Sequence, residues 1–366
     1  MRILMIIDGL PGGGAEKTVL TLSRGLVGMG HQVSVFSLRR VCDYEIPDGV
    51  DYQIILDTCK KPWRKLTELT RRAALLDRAV EQAQKEGQFD LIFSHLHKTD
   101  RIVAQTKNIP RDKLWYCVHG MFSFSYLLHR HGFSRWLKRQ KIKRVYENSN
   151  VVAVSKAVLR DITERFDIHL AKSTVIHNPF DIDGIRQRAK EPCEMAGEDY
   201  LIHVGRFHEH KRHDRLIKAY ALSGIQAPLV LMGNGSDERI AQIKMMATAA
   251  GVADRVIIKP FAPNPYPWIA NARLLLLSSD CEGFGNVLVE ALICQTPAVS
   301  THCPGGPEEI LIGPLARGLS GMSDNQLADT MVDIYNNPPA IEASLIETYG
   351  IGAICQQYLS LATEKK

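Results

Sequence analysis

Two glutamates, Glu282 and Glu290, lie eight positions apart around a glycine-containing loop in the C-terminal half of the sequence. The loop follows an apolar run at residues 274–277 that predicts a buried strand, and an apolar helical pattern begins near Asn286. A strand that ends in such a loop and then opens a helix points backbone N–H groups outward, which favours anion binding. The spacing suits a ligand with a phosphate at one end and hydroxyl groups on both sides.

Two cations precede this loop and close an earlier predicted strand. Arg206 follows the apolar run at 200–204, and Lys211 lies five residues further on. A guanidinium and an ammonium at the carboxyl end of a strand can bracket a diphosphate; an ordinary pair of surface cations is the alternative. Gly233 and Phe261 follow the next two predicted strands, where the backbone can line a flat pocket for a base.

The N-terminal half has a glycine-rich loop between its first predicted strand and its first predicted helix. The loop spans residues 9–14 and includes Gly13 and Gly14. Glycines at this turn allow a phosphate or a sugar to approach the backbone. The spacing is not GxGxxG, so a dinucleotide fingerprint is weak. A glycine turn needed only for tight packing is the alternative.

Histidines end two further predicted strands of the N-terminal half. His119 follows one strand, and His95 and His97 follow another. Because ligands of open parallel sheets lie outside the carboxyl ends of the strands, these side chains are expected to face the ligand. We favour a functional role for His119, and a hydrogen-bonded structural histidine is the alternative for each position.

Two patterns of potential metal ligands have simpler explanations. Asp181 and Asp183 form a DxD sequence, but they precede a helical pattern and fit a helix cap. His208, His210 and His213 lie in a charged segment without an obvious fourth ligand. The sequence has no GxxxxGK[ST] or GxSxG motif. We therefore expect no metal and no cofactor.

Two series of alternating strands and helices predict an α/β protein with two domains. The length of 366 residues also exceeds the usual size of one core. Polar residues 187–198 predict a linker between an N-terminal domain over 1–186 and a C-terminal domain over 199–345. A terminal helix over 346–366 is expected to pack back toward the N-terminal domain. The expected architecture is two Rossmann-like domains with parallel sheets that face an interdomain cleft.

Positive charge is concentrated in the N-terminal half. Residues 1–180 carry 29 Lys and Arg against 18 Asp and Glu, whereas residues 181–366 carry 16 against 22. Residues 62–86 predict an exposed basic helix. Residues 122–146 interleave cations with Trp136 and other apolar residues, which is typical of an amphipathic helix on an anionic membrane surface. A solvated helix whose apolar side packs on the core is the alternative.

The compartment is suggested by the cysteines and by the apolar runs. The eight cysteines are scattered without a CxxC pair, which predicts reduced thiols. The N-terminal apolar run is too short for a signal peptide, and no run approaches the ~20 residues of a membrane span. We therefore expect a cytoplasmic protein whose contact with a membrane is peripheral.

Several short motifs occur in a fixed order along nearly the whole chain. They are Gly13-Gly14-Ala15-Glu16, Val154-Ser155, His177-Asn178-Pro179, Gly205-Arg206 with Lys211, the spacing from Glu282 to Glu290, and Gly306-Pro307-Glu308-Glu309-Ile310. Together they resemble the retaining GT-B glycosyltransferases of family 4. The segment 303–309 is similar to the bacterial lipopolysaccharide, O-antigen and capsule branch of that family.

The resemblance implies transfer of a hexose or an N-acetylhexosamine from a nucleotide diphosphate sugar, with UDP as the nucleotide. The implied acceptor is a cell-envelope glycan, such as lipopolysaccharide core or a lipid-linked oligosaccharide, at the inner face of the plasma membrane. The implied catalytic residues are Glu282, Arg206, Lys211 and His119. Arg206 and Lys211 hold the diphosphate in this assignment, and Glu282 binds the hydroxyl groups of the donor sugar.

The resemblance also implies a set of donor-binding residues. Glu290 binds the ribose, and the backbone at the start of its helix faces the phosphates and the sugar. Gly13 and Gly14 face the reacting centre from the N-terminal domain together with His119. The donor-binding set is Gly13, Gly14, Gly233, Phe261, Phe284, Gly285, Asn286, Val287 and Glu290.

Two functions from other classes remain open at the level of the sequence. A sugar-nucleotide epimerase on the same scaffold would convert or release the sugar without an acceptor. A non-catalytic nucleic-acid-binding protein would use the basic N-terminal half, but no recognition motif supports it. We therefore expect no nucleic-acid partner.

Overall fold

The structure is a computed structural model that describes residues 1–60 and 64–363. The chain divides into two compact units. Unit 1 is Met1–Pro179 together with the segment that begins at Ile351, and unit 2 is Phe180–Gly350. Each unit has its own parallel sheet and its own apolar core, so each is described by itself.

Unit 1 is built on a parallel sheet with the strand order β3-β2-β1-β4-β5-β6-β7. After Arg2, strand β1 is apolar and buried, as expected for a strand that helices cover on both faces. The strands are β1 Arg2–Ile7, β2 Gln32–Ser37, β3 Val50–Ile54, β4 Leu91–His95, β5 Leu114–Val118, β6 Asn150–Ala153 and β7 Lys172–Val175.

Unit 2 repeats this design with the strand order β10-β9-β8-β11-β12-β13. Its central strands are buried, and β11 consists of four leucines. The strands are β8 Leu201–Val204, β9 Leu229–Met232, β10 Val256–Lys259, β11 Leu274–Leu277, β12 Ala298–Thr301 and β13 Leu319–Ser320.

Helices connect the strands in both units. In unit 1 they are α1 Gly14–Gly28, α2 Glu68–Gln84, α3 His97–Val103, α4 Gly132–Tyr146 and α5 Lys156–Arg160. In unit 2 they are α6 Ile182–Arg188, α7 His213–Ser223, α8 Asp237–Ala249, α9 Tyr266–Asn271, α10 Asn286–Ile293, α11 Pro307–Ile310, α12 Asp324–Asn336 and α13 Ala343–Glu347. The last helix, α14 Ile351–Ser360, belongs to unit 1 and packs against α1.

The strand order fixes where a ligand can approach each sheet. In both sheets the chain moves outward in one direction from the first strand and then returns to build in the other direction. The reversal falls between β1 and β4 in unit 1 and between β8 and β11 in unit 2. The loops at the carboxyl ends of these strand pairs diverge, which leaves a crevice. The two alternating series confirm the predicted α/β class with two Rossmann-like domains.

The units do not divide the chain at the predicted linker. The division follows Pro179, and residues 187–198 belong to unit 2. The predicted helix over 346–366 is interrupted, because the chain turns after α13 and Gly350 donates its N–H to the carbonyl of Glu347, 3.0 Å away. Residues 364–366 of that prediction lie outside the described residues.

The basic helix predicted over 62–86 is shorter and less exposed than expected. It begins at Glu68, and residues 62 and 63 lie outside the described residues. Its buried face includes Arg72, Leu76 and Val80, so this side of the helix packs against the rest of unit 1. Among the described helices, none has the length and apolar character needed to cross a lipid bilayer.

Candidate functional site

The loop that follows β11 is the centre of the site in unit 2. It runs from Ser278 to Gly285, which adopts a left-handed φ of 97° and caps the start of α10 without a side chain. An L side chain is strained at this angle, so glycine permits the sharp entry into the helix. The first N–H groups of α10 have no acceptor within the helix, and they lie at its N-terminal end, next to this loop.

Lys211 and Glu282, both predicted site residues, contact each other directly in this loop region. The ammonium Nζ of Lys211 lies 2.6 Å from Oε1 of Glu282. The hydroxyl of Ser279 donates to the same oxygen at 2.5 Å. Both charged side chains are largely buried, with 24% and 12% of their surface exposed. Among the residues that the structure describes, the other N–H donors of Lys211 and the second oxygen of Glu282 have no side-chain partner, so they can contact a ligand.

Gly305 and Gly306 lie in the loop after β12 and pack against the loop that carries Glu282. A Cβ atom on Gly305, whose φ is 140°, would lie 1.9 Å from the carbonyl oxygen of Glu282. A Cβ atom on Gly306 would lie 2.2 Å from the carbonyl oxygen of Phe284. The Glu282 N–H also donates to the Pro304 carbonyl at 3.1 Å. Only glycine permits this approach, so the pair fixes the position of Glu282.

Ion pairs around Asp280 connect the segment that carries Lys211 to the same loop. Arg212 and Arg215 contact Oδ1 of Asp280 at 3.0 and 2.8 Å. The Ser278 hydroxyl donates to the Lys211 carbonyl at 2.6 Å. Arg212 also pairs with Asp214, and this hydrogen bond lowers the pKa of Asp214 to about 2. The Lys211 backbone is therefore fixed to the end of β11.

Arg206, Gly233 and Phe261, also predicted to bind the donor, differ in their exposure and in the groups they contact. Arg206 follows β8 on the surface with an exposed side chain. Gly233 follows β9, and a Cβ atom there would lie 1.8 Å from the Gly205 carbonyl oxygen, so the two turns pack directly. Phe261 is 47% exposed, and its N–H donates to the side-chain oxygen of Asn234 at 3.4 Å.

The first turn of α10 differs from a fully solvated anion site. Phe284 is buried and packs against Tyr349 with a ring separation of 5.8 Å, so only its backbone can face a ligand. Asn286 and Val287 open the helix and are half-buried. Glu290 is nearly buried in the same helix, and Tyr266 donates its hydroxyl to Oε1 of Glu290 at 3.4 Å.

Two buried histidines lie behind the Lys211–Glu282 pair. His203 on β8 makes a 2.9 Å hydrogen bond through Nδ1 to the Leu276 carbonyl. Its ring meets His213 edge-on at 5.0 Å. Burial lowers the pKa of His203 to about 4 and that of His213 to about 2, so both rings are neutral at pH 7.

In unit 1, the glycine loop leads from β1 into α1. Gly13 caps α1 without a side chain, and Gly14 is its first residue. The Tyr44 hydroxyl donates to the Gly13 carbonyl at 3.0 Å. A Cβ atom on Gly13 would lie 2.2 Å from the carboxylate of Glu16, so that carboxylate already occupies the space beside the glycine.

His119 and His95 form a pair at the carboxyl edge of the sheet in unit 1. Nδ1 of His95 lies 3.0 Å from Nε2 of His119, and the rings stack at 5.3 Å. Burial holds the pKa of His119 at about 4 and the pKa of His95 well below its usual value. Within the described residues, Nδ1 of His119 has no hydrogen-bond partner. His97 points elsewhere and bonds the buried Tyr146 hydroxyl at 3.0 Å.

The metal-ligand patterns of the sequence have structural explanations. Asp181 caps α6 by accepting from the Gly184 N–H at 3.2 Å. His213 is buried on α7, whereas His208 is exposed. In the part of the chain that the structure describes, no three His, Cys, Asp or Glu side chains are grouped to hold a metal ion.

Three residues of the site were missed by the reasoning from the sequence: Ser279, Gly305 and His203. Ser279 is the second residue after β11, and its place close behind a buried strand was the available signal. Gly305 is distant in sequence from Glu282, and its role depends on how two loops meet. His203 lies inside a strand, where a lone histidine gives no indication of its neighbours.

Comparison with known proteins identifies the family. The model for "Glycosyltransferase Family 4" matches residues 12–183, and the model for "Glycosyl transferases group 1" matches residues 186–344. Together the two matches include Gly13 and Gly14, the pair Gly305-Gly306, and both members of the Lys211–Glu282 pair.

The chain belongs to glycosyltransferase family 4. A relative in Campylobacter jejuni is N-acetylgalactosamine-N,N'-diacetylbacillosaminyl-diphospho-undecaprenol 4-alpha-N-acetylgalactosaminyltransferase. The two sequences are 27% identical over 328 residues, which cover 89% of this chain and 87% of the relative. The family 4 resemblance of the sequence motifs is thereby confirmed.

Two solved structures share the fold of this family 4 member. The Anabaena HepE protein in complex with UDP and glucose superposes with a TM-score of 0.77 at 19% identity, over 100% of both chains. The lipopolysaccharide outer core galactosyltransferase WaaB superposes with a TM-score of 0.73 at 17% identity, also over 100% of both chains. At this identity the likeness shows the GT-B fold.

Proposed function

We propose that this family 4 glycosyltransferase moves a hexose or an N-acetylhexosamine from a UDP-sugar to a cell-envelope glycan acceptor. The observation that carries the proposal is the Lys211–Glu282 pair at the crevice between β8 and β11. A cation beside a hydroxyl acceptor matches a ligand that joins a diphosphate to a sugar. The UDP bound to HepE and the diphospho-undecaprenol in the name of the C. jejuni relative support the choice of donor and acceptor.

The charge chemistry of the transfer belongs to Lys211 and Arg206. As the bond between the sugar carbon and the diphosphate oxygen breaks, negative charge grows on the diphosphate, and the two cations and the start of α10 stabilise it. This would lower the barrier without a metal ion or another cofactor. His119 of unit 1 has a pKa of about 4, so it would act on a bound sugar as a neutral ring rather than as a cation.

We further propose that the configuration of the sugar is retained by attack on the same face. The acceptor oxygen bonds to the sugar carbon as the diphosphate leaves, and the hydroxyl proton passes to the departing phosphate oxygen. Glu282 is a poor nucleophile in this scheme, because Lys211 and Ser279 both contact its Oε1 atom. A glycosyl adduct trapped on Glu282 would contradict same-face attack.

A sugar-nucleotide panel tests the proposed reaction. We expect UDP release that depends on cell-envelope extract and persists in EDTA, with one new glycosidic linkage of retained configuration detected by mass spectrometry and NMR. Absence of transfer from every UDP-sugar would refute the donor class. Conversion of the sugar without an acceptor would identify an epimerase, and complete loss of activity in EDTA would refute metal independence.

The basic segment 122–146 supports a peripheral contact with an anionic membrane at the inner face of the plasma membrane. Phe133 and Trp136 on α4 stack at 5.5 Å and remain 71% and 52% exposed. Ile142 and Tyr146 are buried, so the C-terminal part of α4 packs on the sheet while its start presents aromatic rings. Exposed aromatic rings among cations favour the interface of an anionic bilayer.

The cations of α4 are not equally available for such a contact. Lys143 is occupied by Glu147 and Asp167. Lys138 lies 4.1 Å from the centre of the Tyr126 ring, and burial lowers its pKa to about 8. Arg139 is exposed. The proposed contact therefore depends on the aromatic pair and on the arginines more than on these lysines.

Vesicle binding tests the membrane contact. We expect the double variant Phe133→Ser and Trp136→Ser to lose most of its binding to phosphatidylglycerol vesicles, because two exposed aromatic anchors are removed. The control is Leu222→Ser with Met245→Ser, which removes two exposed apolar side chains from unit 2. Equal binding of both variants, measured by sedimentation, would favour the solvated-helix interpretation.

A further inference from the structure

A buried carboxylate at the end of β1 collects three cations that the proposed transfer does not use. Asp8 directly follows β1 and has 4% of its side chain exposed. Arg39 lies 2.6 Å from its Oδ2 atom, Lys98 lies 3.0 Å from the same oxygen, and Arg72 lies 3.0 Å from Oδ1. We call these four residues the Asp8 cluster.

The cluster lies at the crevice of the sheet in unit 1. Asp8 follows β1, Arg39 follows β2, and Lys98 is in the first turn of α3, directly after β4. The strand order reverses between β1 and β4, so these residues stand where an open parallel sheet takes its ligand. Arg72 reaches the cluster from α2.

The cations of the cluster divide into one structural residue and two available ones. Arg72 is buried and is also bonded to the Leu38 carbonyl at 2.9 Å and to Glu68 at 3.3 Å. Its donors are therefore largely used within the protein. Arg39 and Lys98 instead have 43% and 55% of their side chains exposed.

Arg39 and Lys98 retain N–H donors for a ligand. Within the described residues, Asp8 is the one ion-pair partner of each. An ammonium has three donors and a guanidinium has five, so several remain on each side chain. Burial works to raise the pKa of Asp8, but hydrogen bonds from Lys98 and Arg72 and the nearby charge of Arg39 outweigh it and lower the pKa. The ionised Asp8 thus holds two cations side by side at the surface.

We propose that Arg39 and Lys98 bind a phosphate or diphosphate group of the acceptor, with Asp8 and Arg72 fixing their position. Two cations held by a common anion form a preorganised site for an oxyanion with several acceptor oxygens. Three cations against the two carboxylates of Asp8 and Glu68 leave one positive charge that a bound phosphate can neutralise. The inference rests on the proposed function only in naming the ligand as the acceptor.

Calorimetric titration of inorganic pyrophosphate into the full chain tests the site. The Lys211→Met background weakens anion binding in unit 2, so that the remaining heat reports on unit 1. We expect Lys98→Gln and Arg39→Gln to raise the Kd for pyrophosphate about tenfold or more, because each removes one charge-assisted contact. Lys98→Arg should keep the Kd within a few-fold, since it preserves the charge.

Lys107→Gln is the matched control. It removes the same charge from an exposed lysine that follows the opposite end of α3. We expect its Kd to equal that of the background protein. If Lys98→Gln and Arg39→Gln bind pyrophosphate as Lys107→Gln does, or if the background protein binds none, the proposal is wrong. Thermal unfolding of each variant shows whether it is folded. If Lys98→Gln is misfolded, the comparison of Lys98→Arg with the background protein tests the proposal instead, and a large rise in its Kd would contradict it.

Two further probes identify the source of the phosphate. Tighter binding of farnesyl diphosphate than of pyrophosphate would indicate a lipid diphosphate, and tighter binding of glucose 6-phosphate would indicate a phosphorylated glycan. Either result supports the site if the probe no longer binds more tightly than pyrophosphate in Lys98→Gln. If Lys98→Gln leaves the affinity for both probes unchanged, the proposal fails.

The binding test separates this inference from the proposed function. Loss of pyrophosphate binding in Lys98→Gln, together with no transfer from any UDP-sugar, would leave the site standing and refute the function. Acceptor-dependent transfer with the same acceptor KM in Lys98→Gln and Lys107→Gln would support the function and refute the site.

Discussion

At the scale of single residues, the Lys211–Glu282 contact solves a problem of buried charge. An unpaired ammonium or carboxylate at this depth would be costly, whereas a close ion pair with an added hydroxyl donor is tolerated. Glu282 keeps one oxygen and Lys211 keeps further donors outside the pair. The two side chains can therefore bind a diphosphate and a hydroxyl group without first separating.

The pair predicts opposite effects of its two members on nucleotide binding. Lys211→Met should weaken UDP binding by about tenfold or more, because a charge-assisted contact is lost. Glu282→Gln should leave UDP binding unchanged or tighter, because Lys211 loses its internal counter-ion. Both variants should lose transfer by at least about a hundredfold. Calorimetry with UDP and a transfer assay measure the two quantities.

Glu290→Gln provides the contrast within the same loop and helix. It removes a carboxylate charge at a position that does not contact Lys211, so it should not tighten UDP binding. Weaker UDP binding in Glu282→Gln than in the unmodified chain would contradict the role assigned to the pair.

Residue types alone were enough to predict some of these positions. Glu282 and Lys211 were predicted as site residues because each follows an apolar run and carries charge. Their direct contact was not predicted, since it depends on how the loops after β8 and β11 meet. Gly305 was missed for the same reason, as its close approach to Glu282 is a property of the folded chain.

At the scale of elements, β8 and α7 make the core of unit 2 sensitive to acid. His213 on α7 is neutral in the folded state because burial lowers its pKa to about 2. The unfolded chain binds a proton near the ordinary pKa of 6.5. The unfolded state therefore binds more protons below that pH, and the contribution to stability that exists above pH 6.5 is lost as the pH falls.

Replacement of this histidine should flatten the pH dependence of stability. We expect the free energy of unfolding of His213→Phe to fall by about 2 kcal/mol less between pH 7 and pH 5 than that of the unmodified chain. Phenylalanine also removes two ring nitrogens that have no hydrogen-bond partner among the described residues. Urea unfolding at the two pH values measures the difference.

His210→Phe is the control for this experiment, since His210 lies in the same segment but outside the buried histidine pair. Its pH dependence should match that of the unmodified chain. Equal slopes in all three proteins would show that His213 does not contribute to acid sensitivity.

Strands and helices were predicted best where their side chains lie in an apolar core, because burial requires apolar residues at those positions. The continuous apolar runs of β1 and β11 predicted buried parallel strands. Strand β3 was missed, because most of its residues are exposed and its sequence, VDYQI, has no continuous apolar run. The exposure of α2 was overestimated, because charge dominates its composition while Ala73, Leu76 and Val80 on one side are buried.

At the scale of the whole molecule, unit 1 is completed by the end of the chain. Helix α14 buries Ile354, Cys355 and Tyr358 in the core of unit 1. A Cβ atom on Gly25 of α1 would lie 2.1 Å from a methyl carbon of Ile351, so the two helices pack closely. Burial of a large apolar side chain contributes about 1.5–3 kcal/mol.

Tyr358→Ala should therefore destabilise unit 1 and leave unit 2 intact. We expect a loss of about 3 kcal/mol or more, since a large aromatic side chain is removed from a packed core. Hydrogen exchange followed by mass spectrometry should show faster exchange in α1 and β4, with unchanged exchange in β8 and β11. Gln357→Ala, on the exposed side of the same helix, should change neither.

Uniform acceleration of exchange in both units of Tyr358→Ala would contradict this assignment. It would indicate that the two units unfold together, so that damage to one core reaches the other. Faster exchange in α1 and β4 alone would instead show that the two units unfold independently.

The same connectivity determines the order in which the units can be completed during synthesis. The chain leaves unit 1 at Pro179 and returns to it at Ile351, so unit 2 is one uninterrupted segment and unit 1 is not. All of unit 2 emerges from the ribosome before α14 does. Unit 2 can thus finish folding first. Until α14 is synthesised, the apolar face of α1 that packs against it stays exposed.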